Sequence, residues 1–210
     1  TRDDLLALGF KNVRIVMNAL SNYPLKELPE KDEEPTLIFL GRLRSTKRPL
    51  DALAIYKKVK EGVPAVRLLI AGRGAQEEEL RREAGGDPDV IFLGFVSDEE
   101  KFKCLARAHL MLVPGVREGF GINVLEAASQ GTPSVGYNIH GLRDSIKDGV
   151  TGLLAEGIDD AADKVLTLLN DPDQLRELSL NGLAYTKEFN WSRRAGEFAD
   201  TLQELTGKRF

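Results

Sequence analysis

Cysteine is almost absent from this sequence, since Cys104 is the only one among 210 residues. A single cysteine excludes a disulfide within the chain, so nothing indicates an oxidising compartment. Long apolar runs are also missing: the longest candidate, AHLMLVPGV at residues 108–116, is too short for a membrane span. The sequence therefore excludes a disulfide scaffold and a membrane-spanning helix among these residues.

An excess of positive charge is missing as well, because the formal net charge is −4. Proteins dedicated to nucleic acids usually carry a basic face, so we expect no nucleic-acid partner. Hydrophobic residues make up 42% and charged residues 30%, which is typical of a soluble globular domain. The chain begins with Thr1 rather than methionine, and we expect no signal peptide. We expect a single domain, residues 1–210, taken from a longer protein.

Short apolar runs predict the strands of a sheet. They lie at residues 36–41, 66–72, 90–95, 110–115 and 133–137, with a weaker one at 152–156. None alternates apolar with polar residues, which favours a parallel sheet buried on both faces. Helical patterns at 47–61, 76–83, 98–108 and 121–130 separate them, and three more follow at 159–169, 172–188 and 192–205.

Alternating strands and helices predict an α/β fold with a Rossmann-like, doubly wound parallel sheet. Residues 13–20 (VRIVMNAL) indicate an extra strand, and residues 24–35 a charged loop. Ligands of such sheets bind at the carboxyl ends of the strands. The loops after the strands are therefore the places to search for function.

The loop after the first predicted strand, GRLRSTKRP, carries four cations: Arg42, Arg44, Lys47 and Arg48. Ser45 or Thr46 is expected to cap the next helix, which places Lys47 in its first turn. Cations are locally unfavourable at that end of a helix, so Lys47 and Arg42 suggest an anion site. A solvated basic loop is the alternative interpretation.

Glycines mark two further loops. Gly72 and Gly74 predict a close backbone approach or a plain strand-to-helix turn, but Glu77 occupies the position where G-x-G-x-x-G needs its last glycine, so the dinucleotide fingerprint fails. After the fourth strand, a helix is expected to begin near Gly121. Its free amides form a ready phosphate site.

Metal binding is not expected. Two Asp-x-Asp pairs occur, Asp87 with Asp89 and Asp171 with Asp173, but each contains a proline, and Asp171 suits a helix cap. His109 and His140 have no partners at metal-ligand spacing. We therefore predict neither a metal nor a cofactor.

The stretch EGFGINVLE, residues 118–126, resembles the E-x7-E motif of retaining glycosyltransferases with the GT-B fold, in family 4. The resemblance continues in the family's order through FLGRLRSTKRP, LLIAGRG, VIFLGFVSDEE, EAASQGTPSVGY and GLRDSIKDGVTGLLAE. It implies that the chain is one half of a GT-B fold, the C-terminal half that binds the donor. The N-terminal acceptor domain would be absent, and the helix at 191–205, which crosses back towards it in the family, would expose part of its apolar face.

The resemblance also implies roles for single residues. Glu126 would accept hydrogen bonds from the ribose hydroxyls, and Glu118, exposed in its loop, would face the sugar hydroxyls. Arg42 and Lys47 would neutralise the diphosphate, and with Glu118 they form the implied catalytic set. The donor-binding residues so implied are Gly41, Arg42, Lys47, Gly72, Gly74, Phe95, Val96, Glu118, Gly119, Phe120, Gly121, Ile122, Asn123 and Glu126. The alternatives are a Glu126 paired with a lysine or arginine in the core and a Glu118 that is merely solvated.

The function implied is sugar transfer from a nucleoside diphosphate sugar to an acceptor, without a metal, by a cytoplasmic protein. Its partners would be the nucleotide-sugar donor and the missing N-terminal domain, which would also make any membrane contact at the inner face. Two alternatives stay open: a non-catalytic nucleotide-sugar binding module and an NAD-dependent oxidoreductase domain. The base, the sugar and the acceptor are not determined by these residues.

Overall fold

A computed structural model of the protein describes residues 2–21 and 24–207. Within them, the predicted apolar runs form one parallel sheet of six strands: β1 (Thr36–Leu40), β2 (Arg67–Ala71), β3 (Val90–Gly94), β4 (Leu110–Val113), β5 (Ser134–Tyr137) and β6 (Gly152–Ala155). The strand order is β3-β2-β1-β4-β5-β6. Strands are therefore added to one side of β1 up to β3 and to its other side from β4 onwards, so the boundary between β1 and β4 is the switch point at which doubly wound sheets bind their ligands.

Helices cover both faces of the sheet. Their bounds are α1 (Arg2–Ala7), α2 (Pro49–Gly62), α3 (Glu77–Ala84), α4 (Asp98–Arg107), α5 (Ile122–Ala128), α6 (Leu142–Ser145), α7 (Ile158–Asn170), α8 (Pro172–Thr186) and α9 (Trp191–Thr206). Successive side chains of β1 enter different cores: Leu37 packs with residues of α2, α3 and α7, whereas Ile38 packs with residues of α4, α5 and α6. Burial on both faces explains why the strand sequences do not alternate.

Two predicted helix starts are confirmed by their hydrogen bonds. The Ser97 hydroxyl accepts from the Glu100 amide at 3.3 Å, and the Glu100 carboxylate accepts from the Ser97 amide at 2.9 Å, which is a complete capping box at α4. The Asp171 carboxylate accepts from the Gln174 amide at 3.0 Å, with Pro172 in the first turn of α8. Local sequence signals determined both positions.

The predicted extra strand at residues 13–20 is wrong, because this segment has no regular secondary structure. The Leu20 amide instead donates to the Phe189 carbonyl at 2.8 Å. Leu20 and Met17 pack in a small apolar cluster with Leu125 of α5 and with Phe189. The segment is apolar because it covers helices, not because it pairs with a strand. The charged stretch forms a loop over residues 24–35, as predicted.

Lys31, in this charged loop, joins the loop to the ends of two helices. Its ammonium donates to the carbonyls of Ala106 and Gly131, both at 2.9 Å, and to the Thr132 hydroxyl at 2.8 Å. Burial lowers the pKa of Lys31 to about 8, against the opposing effect of Asp32. Three oxygens, from two segments that lie far from Lys31 in the sequence, therefore accept hydrogen bonds from one ammonium.

We expect Lys31→Met to lower the free energy of unfolding by about 2–4 kcal/mol, because it removes three hydrogen bonds from a charged donor to partly buried oxygens. Lys57→Met is the matched control. Lys57 is exposed and donates to a single carbonyl, that of Glu83, at 2.6 Å, so its loss should cost no more than about 0.5 kcal/mol. Urea unfolding measures both. Equal costs in the two variants would show that the buried bonds of Lys31 add nothing to stability.

Candidate functional site

A cavity of about 490 Å³ opens at the carboxyl ends of β1, β2 and β3. Its walls are Leu40, Gly41, Arg42, Ala71, Gly72, Arg73, Phe95, Val96, Asp98 and Lys101. Five residues that the sequence assigned to a donor site therefore come together here. They belong to the loops after three neighbouring strands, which is where a doubly wound sheet brings such loops together.

Glycine is required where the first two of these loops touch. A Cβ at Gly72, whose φ is 143°, would lie 1.9 Å from the Gly41 carbonyl oxygen. A Cβ at Gly74 would lie 2.2 Å from the Leu43 carbonyl oxygen. The predicted close backbone approach is confirmed at both positions. Gly72 lines the cavity, whereas Gly74 supports the loop beside it.

The loop after β1 differs from its prediction. Helix α2 begins at Pro49, and its N-cap is Arg48, in the left-handed conformation with a φ of 54°. The prediction that Ser45 or Thr46 caps the helix is wrong, as is the placement of Lys47 in the first turn. Proline suits the first helical position and disfavours a helical conformation in the residue before it, so the helix cannot begin earlier. Lys47 instead lies in a tight turn ahead of the helix.

The turn places Lys47 against Glu118, and their ammonium and carboxylate form a direct ion pair. Only 20% of the Lys47 side chain and 15% of the Glu118 side chain are exposed. The expectation that Glu118 is exposed is therefore wrong, and so is the alternative of a solvated loop residue. Two backbone contacts hold the loops together: the Val116 amide donates to the Thr46 carbonyl at 3.1 Å, and Gly141 lies where a Cβ would be 2.1 Å from the Glu118 carbonyl oxygen.

Arg42 differs from Lys47 in having no charge partner. Its side chain is exposed, lines the cavity and forms no hydrogen bond or ion pair with the residues that the structure describes. The two cations assigned to a diphosphate are therefore in different states. Arg42 is available to an anion, whereas Lys47 is already neutralised by Glu118.

The helix expected to carry phosphate-binding amides is short. Gly121, with a φ of 78°, is the N-cap of α5, which spans seven residues and ends at Ala128 rather than at residue 130. The Asn123 side-chain amide donates to the Leu40 carbonyl at 3.1 Å, which ties the start of α5 to the cavity wall. Ile122 is 37% exposed. The helix start is therefore held beside the end of β1.

Two of the predicted donor-binding residues lie elsewhere. The Phe120 ring packs 6.1 Å from the Phe189 ring, measured between centroids. Gly119 and Phe120 line a separate hollow of about 310 Å³ with residues 13–17. A further hollow of about 420 Å³, beside Trp191, contains none of the predicted residues.

Glu126 is connected to the cavity by Lys101, which lines the cavity and forms an ion pair with Glu126. One of its carboxylate oxygens, Oε1, accepts from the Lys101 ammonium at 2.8 Å, and that ammonium lies 3.0 Å from an oxygen of Asp98. Only 12% of the Glu126 side chain is exposed. Burial opposes the charge of Lys101, but the bonds to Glu126 and Asp98 outweigh it and raise the pKa of Lys101. The structure thus has the geometry of the alternative interpretation, a carboxylate paired with a lysine.

Sequence reasoning missed all three charged residues of this cavity other than Arg42: Arg73, Asp98 and Lys101. It searched the loops and treated the start of α4 as purely structural. The signal was nevertheless present, because the first turn of a helix that follows a strand lies at the same carboxyl edge as the loop. Asp98 and Lys101 are three residues apart and so share one face of that turn.

One of the acidic pairs and one of the histidines are engaged in structural contacts. Asp87 and Asp89 each lie 2.8 Å from the Lys60 ammonium. His109 accepts the Thr36 amide through Nδ1 at 3.0 Å, and burial lowers its pKa. Within residues 2–21 and 24–207, no three His, Cys, Asp or Glu side chains are grouped so that they could hold a metal ion. The same residues contain no helix with the length and apolar character needed to cross a membrane.

Comparison with known proteins identifies the family of the chain. The family described as Glycosyl transferases group 1 matches residues 25–184. Trehalose synthase from Pyrococcus horikoshii is 30% identical over 95% of this chain and 51% of its own length. D-inositol 3-phosphate glycosyltransferase from Nocardia farcinica is 33% identical over 84% of this chain and 43% of its own length. The chain thus spans about half the length of these curated relatives.

Solved structures share the fold at lower identity. The lipopolysaccharide outer core galactosyltransferase WaaB superposes with a TM-score of 0.81 at 22% identity, over 97% of this chain and 59% of its own. Anabaena HepE in complex with UDP and glucose gives a TM-score of 0.72 at 21% identity, over 81% of this chain and 48% of its own. Such likenesses show that the fold is that of a GT-B glycosyltransferase domain.

The fold and the matched residues together define the class. This chain belongs to the glycosyl transferases group 1 family. Its Rossmann-like fold, a single parallel sheet with helices on both faces, is that of the C-terminal domain of the GT-B architecture.

Proposed function

We propose that this chain binds a nucleoside diphosphate sugar and forms the donor-binding half of a retaining glycosyltransferase. One observation carries the proposal: the cationic loop after β1 borders the cavity, and the largely buried carboxylate of Glu126 pairs with Lys101, another residue of the cavity wall. A nucleoside diphosphate has complementary groups, an anionic diphosphate and a ribose with two hydroxyls. The family match supports this chemistry, and HepE, one of the similar solved structures, holds UDP.

In the proposed complex, Arg42 and Lys47 neutralise the diphosphate, together with the backbone amides of Gly121, Ile122 and Asn123. Gly41, Gly72, Phe95 and Val96 surround the nucleoside. Negative charge grows on the diphosphate as the glycosidic bond breaks, and fixed cations stabilise that charge without reorganisation. These cations supply the positive charge that a metal would otherwise provide.

The Lys47–Glu118 ion pair is expected to open when the donor binds. The arriving diphosphate competes with Glu118 for the Lys47 ammonium, so binding loosens the carboxylate from its partner. Glu118 is then available to the hydroxyls of the sugar. Donor binding and the placement of Glu118 are coupled through one lysine.

We propose that another domain, in a longer protein, binds the acceptor. The chain spans about half the length of its relatives, and α9 has no buried residue. Trp191, Phe198 and Leu205 of this helix are 65%, 54% and 63% exposed. An apolar helix face of this kind suits contact with a further domain. The isolated chain should therefore bind donor and transfer almost nothing, because positioning of the acceptor is missing.

Calorimetric titration with UDP, GDP and ADP, each with and without EDTA, tests the donor site. We expect at least one of them to bind, with an affinity that EDTA does not change, since the cations belong to the protein. NAD is the contrasting ligand and should bind more weakly. Tighter binding of NAD would favour the oxidoreductase alternative, and affinity lost in EDTA would contradict the metal-free site.

Transfer is measured separately, on this chain and on the longer protein. We expect turnover of the sugar donor only in the longer protein. Efficient transfer by these 210 residues alone would contradict the division into two halves.

A further inference from the structure

The ammonium of Lys101 is held at three points at the edge of the cavity. It donates to Oε1 of Glu126 at 2.8 Å, lies 3.0 Å from Asp98 Oδ1, and stands 4.6 Å from the centre of the Phe102 ring. Its side chain is only 14% exposed, whereas that of Asp98 is 85% exposed. The contacts fix the ammonium in one place between the cavity and Glu126.

The second carboxylate oxygen of Glu126, Oε2, receives no hydrogen bond from the residues that the structure describes. A carboxylate has room for several donors, so an ammonium on one oxygen leaves the other free to accept. The bond to Lys101 also restricts rotation of the carboxylate. The side chain is therefore held with one oxygen engaged and the other available.

We propose that Lys101 is a positioning residue that makes the site selective for ribonucleotides, acting through Glu126. This inference rests on the proposed function. The ammonium holds the Glu126 carboxylate in one orientation, and the free oxygen accepts the hydroxyls of the ribose. Lys101 itself need not touch the nucleotide.

The physical argument concerns the cost of a buried charge. A charged carboxylate whose side chain is only 12% exposed is unfavourable unless a cation and hydrogen bonds compensate for the lost hydration. Without Lys101, the Glu126 side chain would lose its anchor and turn towards water. It would then lose its bonds with the hydroxyls, and hydrogen bonds to a charged acceptor are about twice as strong as neutral ones.

The test compares a nucleoside diphosphate with its 2′,3′-dideoxy form. UDP, GDP and ADP are each paired with their dideoxy forms, and the ratio of the two dissociation constants is measured by calorimetry. A merely structural lysine would change both affinities equally and leave the ratio unchanged. A positioning lysine changes the ratio itself.

Four variants are compared with the wild type: Lys101→Met, Lys101→Arg, Glu126→Gln and Lys103→Met. Lys103 is the matched control, because it lies on the same helix, is 69% exposed and pairs with Glu99 at 2.6 Å. We expect the wild type to prefer the ribonucleotide by about 10- to 100-fold, the scale of hydrogen bonds to a charged group. Lys101→Met and Glu126→Gln should reduce the preference to about threefold or less, whereas Lys101→Arg should retain most of it. Lys103→Met should match the wild type.

If Lys101→Met is not folded at the assay temperature, Lys101→Gln replaces it, and we expect the same loss of preference. A Glu126→Gln variant that loses the preference beside a folded Lys101→Met or Lys101→Gln variant that keeps it would overturn the role of Lys101 and leave the proposed function standing. Absence of nucleoside diphosphate binding in the wild type would overturn both. The two failures are therefore distinguishable.

Discussion

Glu118→Gln in the proposed longer protein will lower the rate of sugar transfer by about 100- to 1000-fold, the scale of removing one preorganised polar group. Nucleoside diphosphate binding will survive. The structure explains the contrast, because Glu118 is the ion-pair partner of Lys47. Glutamine removes the charge that competes with the diphosphate for the lysine, so affinity should stay equal or rise. Initial rates and calorimetry on the same protein preparation measure the two effects.

Glu99→Gln is the control for this substitution. Glu99 lies on α4 with 78% of its side chain exposed, so both transfer and binding should match the wild type. A Glu118→Gln protein that transfers sugar at the normal rate would remove Glu118 from the catalytic set. Loss of binding together with transfer would instead indicate that Glu118 supports the loop around Lys47.

Lys47→Met will weaken nucleoside diphosphate binding by about 10- to 100-fold, the range of a hydrogen bond to a charged group. It removes one cation and also leaves Glu118 as an unpaired anion beside the diphosphate. Arg42→Met removes a cation that has no partner among the described residues, and we expect a loss in the same range. Arg44→Met is the matched control, since Arg44 is exposed in the same loop and does not line the cavity.

The double variant Lys47→Met with Glu118→Gln separates the two contributions of Lys47. Residues in direct contact give non-additive effects, so the double variant should bind more tightly than Lys47→Met alone. Additive affinities would show that the ion pair is not coupled to the ligand. Unchanged affinity in both Lys47→Met and Arg42→Met would remove these cations from the proposed site.

Features that depend on neighbouring residues were predictable from the sequence. The apolar runs gave all six strands of the sheet, and Ser97 with Glu100 gave the start of α4. The close approach at Gly72 was one of the two interpretations that the glycines after the second strand allowed, the other being a plain strand-to-helix turn. In each case the residues that determine the structural feature lie within or directly beside it in the sequence.

Errors arose where a local signal had two possible causes. Residues 13–20 are apolar, and apolar character alone does not distinguish a strand from a segment that covers helices. Ser45 and Thr46 are good capping residues, but Pro49 decided where α2 begins, through its own backbone restriction. A solvent-exposed position for Glu118 was expected from its loop, although tertiary packing buries it.

The sequence by itself determined the fold class, the family and the loops in which a site could lie. Only the tertiary structure decided which charges meet. Lys47 and Glu118 are 71 positions apart, and Lys101 and Glu126 are 25 positions apart. Each pair forms because β1 lies beside β4 in the sheet and α4 packs against α5. Secondary structure follows from short-range periodicity, whereas an ion pair between distant residues depends on how whole strands and helices pack together.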